Sequence, residues 1–420
     1  MRALRRIVVA AVGSAVLGGL VVAGTTAPAQ AVLAPSSRVW SYGTVYGTVT
    51  NVVDGDTVDV KIQGDSSTVG AVSIRNNGIQ ATEKGQCHYS EAKAAMSKLT
   101  YGKTVRLTTK YVTESSLGRP VRYVDVWNGT TWVDVQTALL TAGHGMYLDI
   151  GADTTRWRQH SLASQQARAK GIQLWDKDYC GSGPSQTTPL RVWVNFDGDG
   201  DENLNPNTEY IRVLNTSSTA LSLSGWWLRS GGPTLYKFPS TAKVPAKGYV
   251  TLRVGKGTNT TTTFYWGFSA PYYPNTNGAI ARGEGAYLFD PQGDLRASAI
   301  YPCLTGCTDP LMSKVAMSVD PKGWDTNRPE SVTLWPSTTA SVDLSYKVLQ
   351  VGGSTYEIAK GTVLSPGEKL KVWIAKGTNS RLNQYWQRTG YLLPDAGGSM
   401  RLRSTEDVRI TCRAWGTGTC

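Results

Sequence analysis

Charged residues are scarce in this chain of 420 residues, at 18%, whereas hydrophobic residues make up 40%. This balance excludes a disordered acidic or basic chain. There are only three histidines and six cysteines, which leaves little room for a histidine-rich zinc site. Long stretches of Ala, Glu, Lys and Leu are also lacking after the first residues, which argues against an all-α protein and favours short strands. At about 100–200 residues per domain, we expect two to four domains.

The N-terminus has the pattern of a signal peptide. Arg2, Arg5 and Arg6 precede an apolar run at residues 7–22, and Ala29-Gln30-Ala31 is a small-x-small cleavage site. A membrane anchor is the less favoured alternative, because the run is short and interrupted by Gly and Ser. We therefore expect residues 1–31 to be removed and the protein to be secreted without a transmembrane segment. Without the three arginines the formal net charge falls from +12 to +9, which suits a polyanionic partner.

An exported chain can hold disulfides, and six cysteines allow fifteen pairings. Cys87 and Cys180 are alone in the first half of the chain, so we expect them to pair. The simplest local pairs among the remaining four are Cys303 with Cys307 and Cys412 with Cys420.

Three units follow one another along the chain. The first spans residues 42–180, and the stretch 181–189, GSGPSQTTP, has the composition of a linker. The second spans residues 190–307 and the third residues 308–420. These two are related, since Lys256-Gly257-Thr258-Asn259 recurs 120 residues later as Lys376-Gly377-Thr378-Asn379, each time after an alternating strand. Their period-2 strands and Gly/Pro turns predict two immunoglobulin-like β-sandwiches.

The second unit contains an acidic loop, Asp197-Gly198-Asp199-Gly200-Asp201-Glu202, followed by the strand sequence at residues 209–215 and by Gly225-Trp226. These segments resemble the lamin tail domain over most of residues 190–303. The third unit resembles a divergent second copy that lacks the acidic loop. In bacteria such domains are appended to secreted hydrolases, which implies a role in binding nucleic acid or the cell surface. The loop itself has two interpretations, a solvated acidic turn or a weak calcium site.

The first unit has the pattern of a small barrel with helices packed on it. Strands are predicted at residues 45–53, 58–62, 71–79, 105–107 with 111–112, and 121–126. Helices are predicted at residues 90–99, 132–142 and 156–169. Five strands and three helices in this order suggest an OB-type barrel. The predicted fold class is therefore mainly β and multidomain, an OB-fold barrel with three helices followed by two sandwiches.

Three motifs in the first unit carry a second resemblance. They are Val52-Val53-Asp54-Gly55-Asp56-Thr57, the segment IRNNGIQATE at residues 74–83, and Leu117-Gly118-Arg119. In this order and spacing, and with Gln173-Leu174-Trp175 closing the unit, they resemble the staphylococcal nuclease family over residues 45–175. The resemblance implies hydrolysis of phosphodiester bonds in DNA or RNA.

The resemblance also assigns roles to residues whose chemistry suits them. Glu83 is the candidate general base that activates water. Arg75 and Arg119 are the candidate groups that stabilise charge on the phosphate through forked hydrogen bonds. Calcium is the expected cofactor, with Asp56 as its carboxylate ligand and with Gln80 and the backbone of Ala81 as further ligands. Asp54 and Thr57 are nearby candidates with weaker claims.

Two departures from the family pattern weaken these expectations. Gln80 stands where the family has a second metal-binding Asp, and a neutral amide should weaken calcium binding. Ser116 and Leu117 replace the basic and aromatic residues that contact the nucleotide in the family. The sequence offers three substitutes for those contacts: Lys84, Tyr111 and Tyr147.

The predicted function is a secreted, monomeric nuclease, most simply an endonuclease, that acts on DNA or RNA and uses its sandwiches to stay near substrate or cell surface. The alternative is a non-catalytic extracellular protein that binds nucleic acid or a surface on a nuclease fold. Intact Arg75, Glu83 and Arg119 favour the enzyme, because a binding protein has no need of a general base beside two arginines.

Overall fold

A computed structural model describes residues 38–64, 70–181, 183, 186–199, 201–232, 234–276, 282–322, 328–404 and 407–420. The predicted signal peptide at residues 1–31 and part of the predicted linker at residues 181–189 lie outside this range. The protein is mainly β, with 38% strand and 12% helix. Within the described part of the chain, no helix is both long enough and apolar enough to cross a membrane.

The first unit contains nine strands and four α-helices among its described residues. The strands are β1 (Thr44–Val52), β2 (Thr57–Ile62), β3 (Val72–Asn76), β4 (Gly78–Gln80), β5 (Thr104–Thr108), β6 (Ser115–Ser116), β7 (Arg119–Trp127), β8 (Trp132–Asp134) and β9 (Met146–Leu148). The helices are α1 (Arg38–Ser41), α2 (Tyr89–Thr100), α3 (Val135–Thr141) and α4 (Trp157–Lys170), and a short 3₁₀ helix covers Gln173–Trp175.

Five of these strands form a closed barrel. β1 pairs with β2 and β5, β2 pairs with β3, and β5 pairs with β7, all antiparallel. The parallel pair of β3 and β7 closes the barrel. Burial alternates along β1, where Val45, Val49 and Val52 point into the core while most of their neighbours face solvent. The predicted barrel is thus confirmed at the level of a closed five-stranded sheet.

The helices differ from the prediction in number and start. The described part of the first unit has four α-helices instead of three, because α1 precedes the predicted start at residue 42 and buries Val39 in the barrel core. The predicted helix at residues 132–142 begins as strand β8 and becomes helical only at Val135. Its start is fixed by Asp134, whose Oδ1 accepts the Thr137 N–H at 2.6 Å. Residues 111–112 form a turn and no strand.

The second and third units each consist of two four-stranded sheets and a two-stranded ribbon. The second unit contains β10 (Leu190–Asn195), β11 (Tyr210–Asn215), β12 (Leu221–Ser222), β13 (Trp227–Ser230), β14 (Leu235–Lys237), β15 (Lys243–Val244), β16 (Gly248–Arg253), β17 (Thr263–Tyr265), β18 (Glu284–Phe289) and β19 (Leu295–Tyr301), with a 3₁₀ turn at Pro206–Thr208. The third contains β20 (Val315–Asp320), β21 (Ser331–Pro336), β22 (Val342–Asp343), β23 (Val348–Val351), β24 (Ser354–Glu357), β25 (Val363–Leu364), β26 (Leu370–Trp373), β27 (Asn383–Tyr385), β28 (Gly397–Arg403) and β29 (Arg409–Gly416).

The two units share their strand order. The sheets β10-β11-β16-β17 and β14-β13-β18-β19 correspond to β20-β21-β26-β27 and β24-β23-β28-β29, and the parallel pair β16–β17 recurs as β26–β27. A buried glutamate recurs as well. Glu209 accepts the backbone N–H groups of Tyr272 and Tyr273, and Glu330 does the same for Leu392 and Leu393. Each unit therefore holds one loop in place with a buried carboxyl group.

Three disulfides join the cysteines as expected from the sequence. Cys87 pairs with Cys180, Cys303 with Cys307, and Cys412 with Cys420. Three disulfides are compatible with an extracellular protein.

The barrel and the second unit share an apolar core. Met146, Tyr147, Leu174 and Trp175 of the first unit pack in one buried cluster with residues of the second unit, namely Tyr287, Phe289, Leu295 and Ile300. Polar contacts flank this cluster: Gln165 on α4 donates to the Pro302 carbonyl and accepts from the Leu304 N–H. The two units are therefore firmly packed.

The acidic loop of the second unit packs against the third unit. Asp197 is buried, and its Oδ2 accepts a hydrogen bond from Gln350. Arg388 forms an ion pair with Asp199. A fully solvated turn is therefore the wrong interpretation of this loop, since the contacts with the third unit fix it.

Candidate active site

The predicted site residues of the barrel meet in one cleft of about 530 Å³. Three segments of the barrel form its floor: the turn between β1 and β2, the end of β3 with the loop after β4, and the hairpin of β6 and β7. Five predicted residues line the cleft, namely Asp56, Arg75, Gln80, Glu83 and Arg119. Ala81, the sixth, is buried and contacts Asp56 through its backbone N–H.

Asp56 is held at the turn between β1 and β2. Its backbone N–H donates to Oδ1 of Asp54 at 2.9 Å, the local bond by which Asp stabilises turns. Its own Oδ1 accepts the Thr57 hydroxyl at 3.0 Å and lies 3.4 Å from Nε of Arg75. Its Oδ2 accepts the Ala81 N–H at 2.9 Å. Asp56 thereby joins the turn, the end of β3 and the loop after β4.

Arg75 is buried and largely committed to its neighbours. Its Nη1 donates to the carbonyls of Asn76 and Ile79 at 2.6 and 2.8 Å, and its Nη2 donates to Oε1 of Gln80 at 2.7 Å. With Nε beside Asp56, four of the five guanidinium N–H groups are engaged by described residues. Arg75 keeps one N–H for a ligand.

Gln80 connects Arg75 to Glu83. While its Oε1 accepts from Arg75, its Nε2 donates to Oε1 of Glu83 at 2.9 Å and to the Ala81 carbonyl at 2.9 Å. These partners fix the orientation of the amide, since the oxygen faces a donor and the nitrogen faces acceptors. Gln80 therefore positions Glu83, whose side chain lies in the exposed part of the cleft.

Arg119 follows a tight hairpin turn between β6 and β7. Leu117 and Gly118 at the turn have φ values of 51° and 78°, as a type I′ turn requires. Arg119 donates from Nε to the Ser116 carbonyl and from Nη1 to the Thr57 hydroxyl, at 3.3 and 3.0 Å. Within the described residues this leaves three guanidinium N–H groups without a protein acceptor. Arg119 is thus the better placed of the two arginines for a forked contact.

The cleft also holds carboxyl groups whose pKa values are raised by burial. Burial, reinforced by Asp56, raises the pKa of Asp54 to about 6. Burial likewise raises the pKa of Asp149 to about 6 and that of Glu284 to about 7, although Arg282 opposes both shifts.

The oxygens of the cleft fit a hard cation only in part. Asp54 and Asp56 offer carboxylate oxygens next to each other, the ligand type that calcium prefers. The charge repulsion that helps to raise the Asp54 pKa would be relieved by a divalent cation. Both oxygens of Asp56 already accept hydrogen bonds but carry charge, whereas those of Gln80 and Ala81 are neutral and also accept hydrogen bonds, so these two residues fit less well. Within the described residues, no cluster of three or more His, Cys, Asp or Glu side chains has the geometry of a metal site.

Residues from the second unit also line the cleft. The family to which this unit is related therefore bears on the site. The family model of the lamin tail domain matches residues 190–302. These residues, most of the second unit, form a lamin tail domain. The matched range includes Glu209 and the loop that it holds. No nuclease family model matches the barrel, and no curated protein matches the chain.

The lamin tail domain contributes Tyr272, Arg282 and Glu284 to the cleft. Arg229, also from this domain, is buried, and its charge is coupled to those of Glu83 and Asp56. Sequence reasoning missed all four. No local signal could have found them, because they reach the site only through packing of the two domains.

None of the three substitutes that the sequence offered for the missing nucleotide contacts lines the cleft. Tyr147 is fully buried and donates from its hydroxyl to Asp149 at 3.2 Å. Lys84 and Tyr111 are described residues, and neither lines the cleft. Leu117 does line it, and its apolar side chain is 90% exposed.

Proposed function

We propose that the protein is an extracellular nuclease that hydrolyses phosphodiester bonds of DNA, RNA or both, with endonuclease action as the simplest form. The observation that carries the proposal is the convergence of Glu83, Arg75 and Arg119 in one cleft, with Gln80 bonded to both Glu83 and Arg75. The five-stranded barrel with its parallel closing pair supports an OB-type fold, which agrees with the resemblance.

In the proposed mechanism these residues divide the chemistry among them. Glu83 takes a proton from the attacking water, and the Gln80 N–H holds its carboxylate in position. Arg119, with three available N–H groups, binds the phosphate oxygens in a fork and stabilises the charge that develops on them. Arg75 adds a single N–H, and its bonds to Asp56 and Gln80 fix the floor of the cleft.

The proposal keeps calcium, but with fewer protein ligands than the sequence suggested. Asp54 and Asp56 would hold the ion, with water completing its shell in place of Gln80 and Ala81. A bound divalent cation would supply charge neutralisation at the phosphate. With two protein carboxylates as its ligands, the ion should bind weakly, so we expect activity to require calcium in the millimolar range or to tolerate another divalent cation.

The test compares the oxidised chain of residues 32–420 with its Glu83→Gln variant. Cleavage of plasmid, single-stranded DNA and RNA is followed with calcium, with magnesium and with chelator. We expect the variant to be at least about a hundredfold slower, as for a lost general base. Glu91→Gln is the matched control, because Glu91 is an exposed carboxyl group on α2 outside the cleft.

Two outcomes would change the conclusion. Cleavage that persists in chelator would support the nuclease and would exclude calcium as a required cofactor. If the wild type cleaves no faster than Glu83→Gln, the proposal that the protein is an enzyme is overturned. Nucleic-acid binding without cleavage would favour the alternative, an extracellular binding protein. Secretion and the monomeric state are also part of the proposal, and sizing of protein recovered from culture medium tests both.

A further inference from the structure

The lamin tail domain forms one wall of the candidate active site. Leu148, Asp149 and Ile150 of the barrel lie at this side of the cleft together with Tyr272 and Arg282 of the lamin tail domain. The apolar core shared by the two domains lies directly behind this wall, through Tyr147 and Tyr287. Because this core is buried, the wall has a fixed position relative to Glu83.

Arg282 presents a charged fork at this wall. Its Nη1 donates to the Gly151 carbonyl of the barrel, which fixes the guanidinium at the domain boundary. Its backbone N–H donates to the Asn275 carbonyl at 3.4 Å. Among described residues the guanidinium has no other hydrogen-bond acceptor, so four of its N–H groups remain for a ligand. The side chain is partly exposed, as a contact to a dissolved substrate requires.

Tyr272 supports the same wall. Its ring is stacked on Phe268 with 4.6 Å between ring centroids, and its hydroxyl lies 2.8 Å from the Ser230 hydroxyl. Its backbone N–H is held by Glu209 at 2.7 Å. Tyr272 is thus anchored inside the lamin tail domain, whereas Arg282 is held against the barrel.

The carboxyl groups of the cleft favour an additional cation for the binding of an anionic substrate. Five carboxyl groups line it, namely those of Asp54, Asp56, Glu83, Asp149 and Glu284. Three arginines oppose them: Arg75, Arg119 and Arg282. Arg75 is mostly committed to its neighbours, so Arg119 and Arg282 are the two guanidinium groups with open forks. A phosphate chain that enters the cleft meets one on the barrel and one on the lamin tail domain.

We infer that the lamin tail domain is part of the substrate site, and that Arg282 binds a backbone phosphate next to the one cleaved at Glu83. This inference rests on the proposed function, since it concerns the same cleft. It gives the lamin tail domain a direct role in binding a polynucleotide chain, beyond that of keeping the enzyme near its substrate. A substrate with a single phosphodiester should not need Arg282, whereas a longer chain should.

The first test compares wild type with Arg282→Ala and Arg282→Lys on two substrates, a single-stranded oligonucleotide and a p-nitrophenyl phosphodiester of one nucleoside. For the oligonucleotide we expect Arg282→Ala to raise KM about tenfold, the lower end of the effect of a lost charged fork, with little change in kcat. The KM of Arg282→Lys should lie between those of wild type and Arg282→Ala, because lysine keeps the charge but loses the forked hydrogen bonds. Cleavage of the small ester should be unchanged. Arg158→Ala removes an exposed arginine on α4 outside the cleft and is the control.

A binding measurement separates this inference from the proposed function. In a Glu83→Gln background, removal of Arg282 should reduce the slope of log affinity against log salt by about 0.7 for single-stranded DNA, as expected for one lost phosphate contact. A reduced slope would support Arg282 as a phosphate ligand even if no chain is cleaved. Cleavage by wild type with unchanged KM and slope in Arg282→Ala would overturn this inference alone. Absence of both cleavage and a slope change would overturn both proposals.

A second variant tests the wall without touching Arg282. A Cβ at Gly231 of the lamin tail domain would lie 2.6 Å from the Tyr147 carbonyl oxygen of the barrel, so Gly231→Ala must displace atoms at this contact between the two domains. We expect it to weaken oligonucleotide cleavage several-fold and to spare the small ester. Gly353→Ala is the control, because a Cβ there meets no atom within 4 Å. Equal loss on both substrates would show a general disturbance of the barrel and count against the wall.

Discussion

Glu209 should make the stability of the lamin tail domain depend on pH in a defined direction. Burial raises the pKa of this carboxyl to about 8, from 4.5 for a free side chain, although the Tyr272 and Tyr273 N–H groups oppose the shift. Both N–H groups contact Oε2, and Oε1 is buried with no hydrogen-bond partner among described residues, as expected if a proton resides there. The folded state therefore retains a proton that the unfolded chain loses above about pH 4.5.

The sign and size of the effect follow from this difference. Stability is full below about pH 4.5 and falls as pH rises toward 8, because only the unfolded chain releases the proton in this window. A difference of about 3.5 pH units corresponds to an upper limit of about 5 kcal/mol. In Glu209→Gln the titrating group is gone. The difference in unfolding free energy between wild type and variant should then change by up to about 4 kcal/mol between pH 5 and pH 8.

Guanidinium unfolding followed by tryptophan fluorescence at both pH values measures this difference. Any difference in packing between the amide and the acid adds the same free energy at both pH values and therefore cancels. Glu91→Gln, at an exposed glutamate, should follow the wild type at both. Parallel curves for wild type and Glu209→Gln would show that Glu209 is ionised in the folded state and would refute the reasoning.

Three further predictions concern other parts of the chain. Leu117→Asn should raise the thermal stability by about 1 kcal/mol, because asparagine tolerates the positive φ that leucine is forced to adopt there; an unchanged melting temperature would contradict this. Arg119→Ala should lower kcat/KM about a hundredfold or more in cleavage assays without lowering the melting temperature, since its contacts are partly exposed. Glu357→Ala should cost about 3 kcal/mol in urea unfolding, because it leaves the largely buried Arg212 without its ion-pair partner; a loss below about 1 kcal/mol would contradict the importance of this contact.

The sequence could predict the floor of the candidate site because strand pairing brings its motifs together. Thr57 next to Asp56 pairs with Arg75 across β2 and β3, and the parallel pairing of β3 with β7 places Arg75 near Arg119. The barrel, the repeated sandwich units and the disulfides are likewise encoded in local patterns and spacing. Such features depend on residues that lie close in the chain or on elements that pair in a fixed order.

Two aspects of the site could not be predicted, for different physical reasons. Gln80 was expected to be a weakened metal ligand, and its hydrogen bonds to Arg75 and Glu83 depend on a side-chain orientation that the sequence does not encode. Arg282 lies more than 150 residues from the barrel motifs, and its place in the cleft depends on how two domains dock. Packing between domains leaves no periodic pattern in either sequence.

The shared apolar core has a consequence for how the chain can be divided. A fragment that ends after Cys180 would leave Met146, Tyr147 and Trp175 without the partners that bury them. Exposed apolar patches of this kind promote aggregation of isolated fragments. The barrel and the lamin tail domain should therefore behave as one cooperative folding unit, in which evolution cannot exchange either domain without rebuilding the surface of the other.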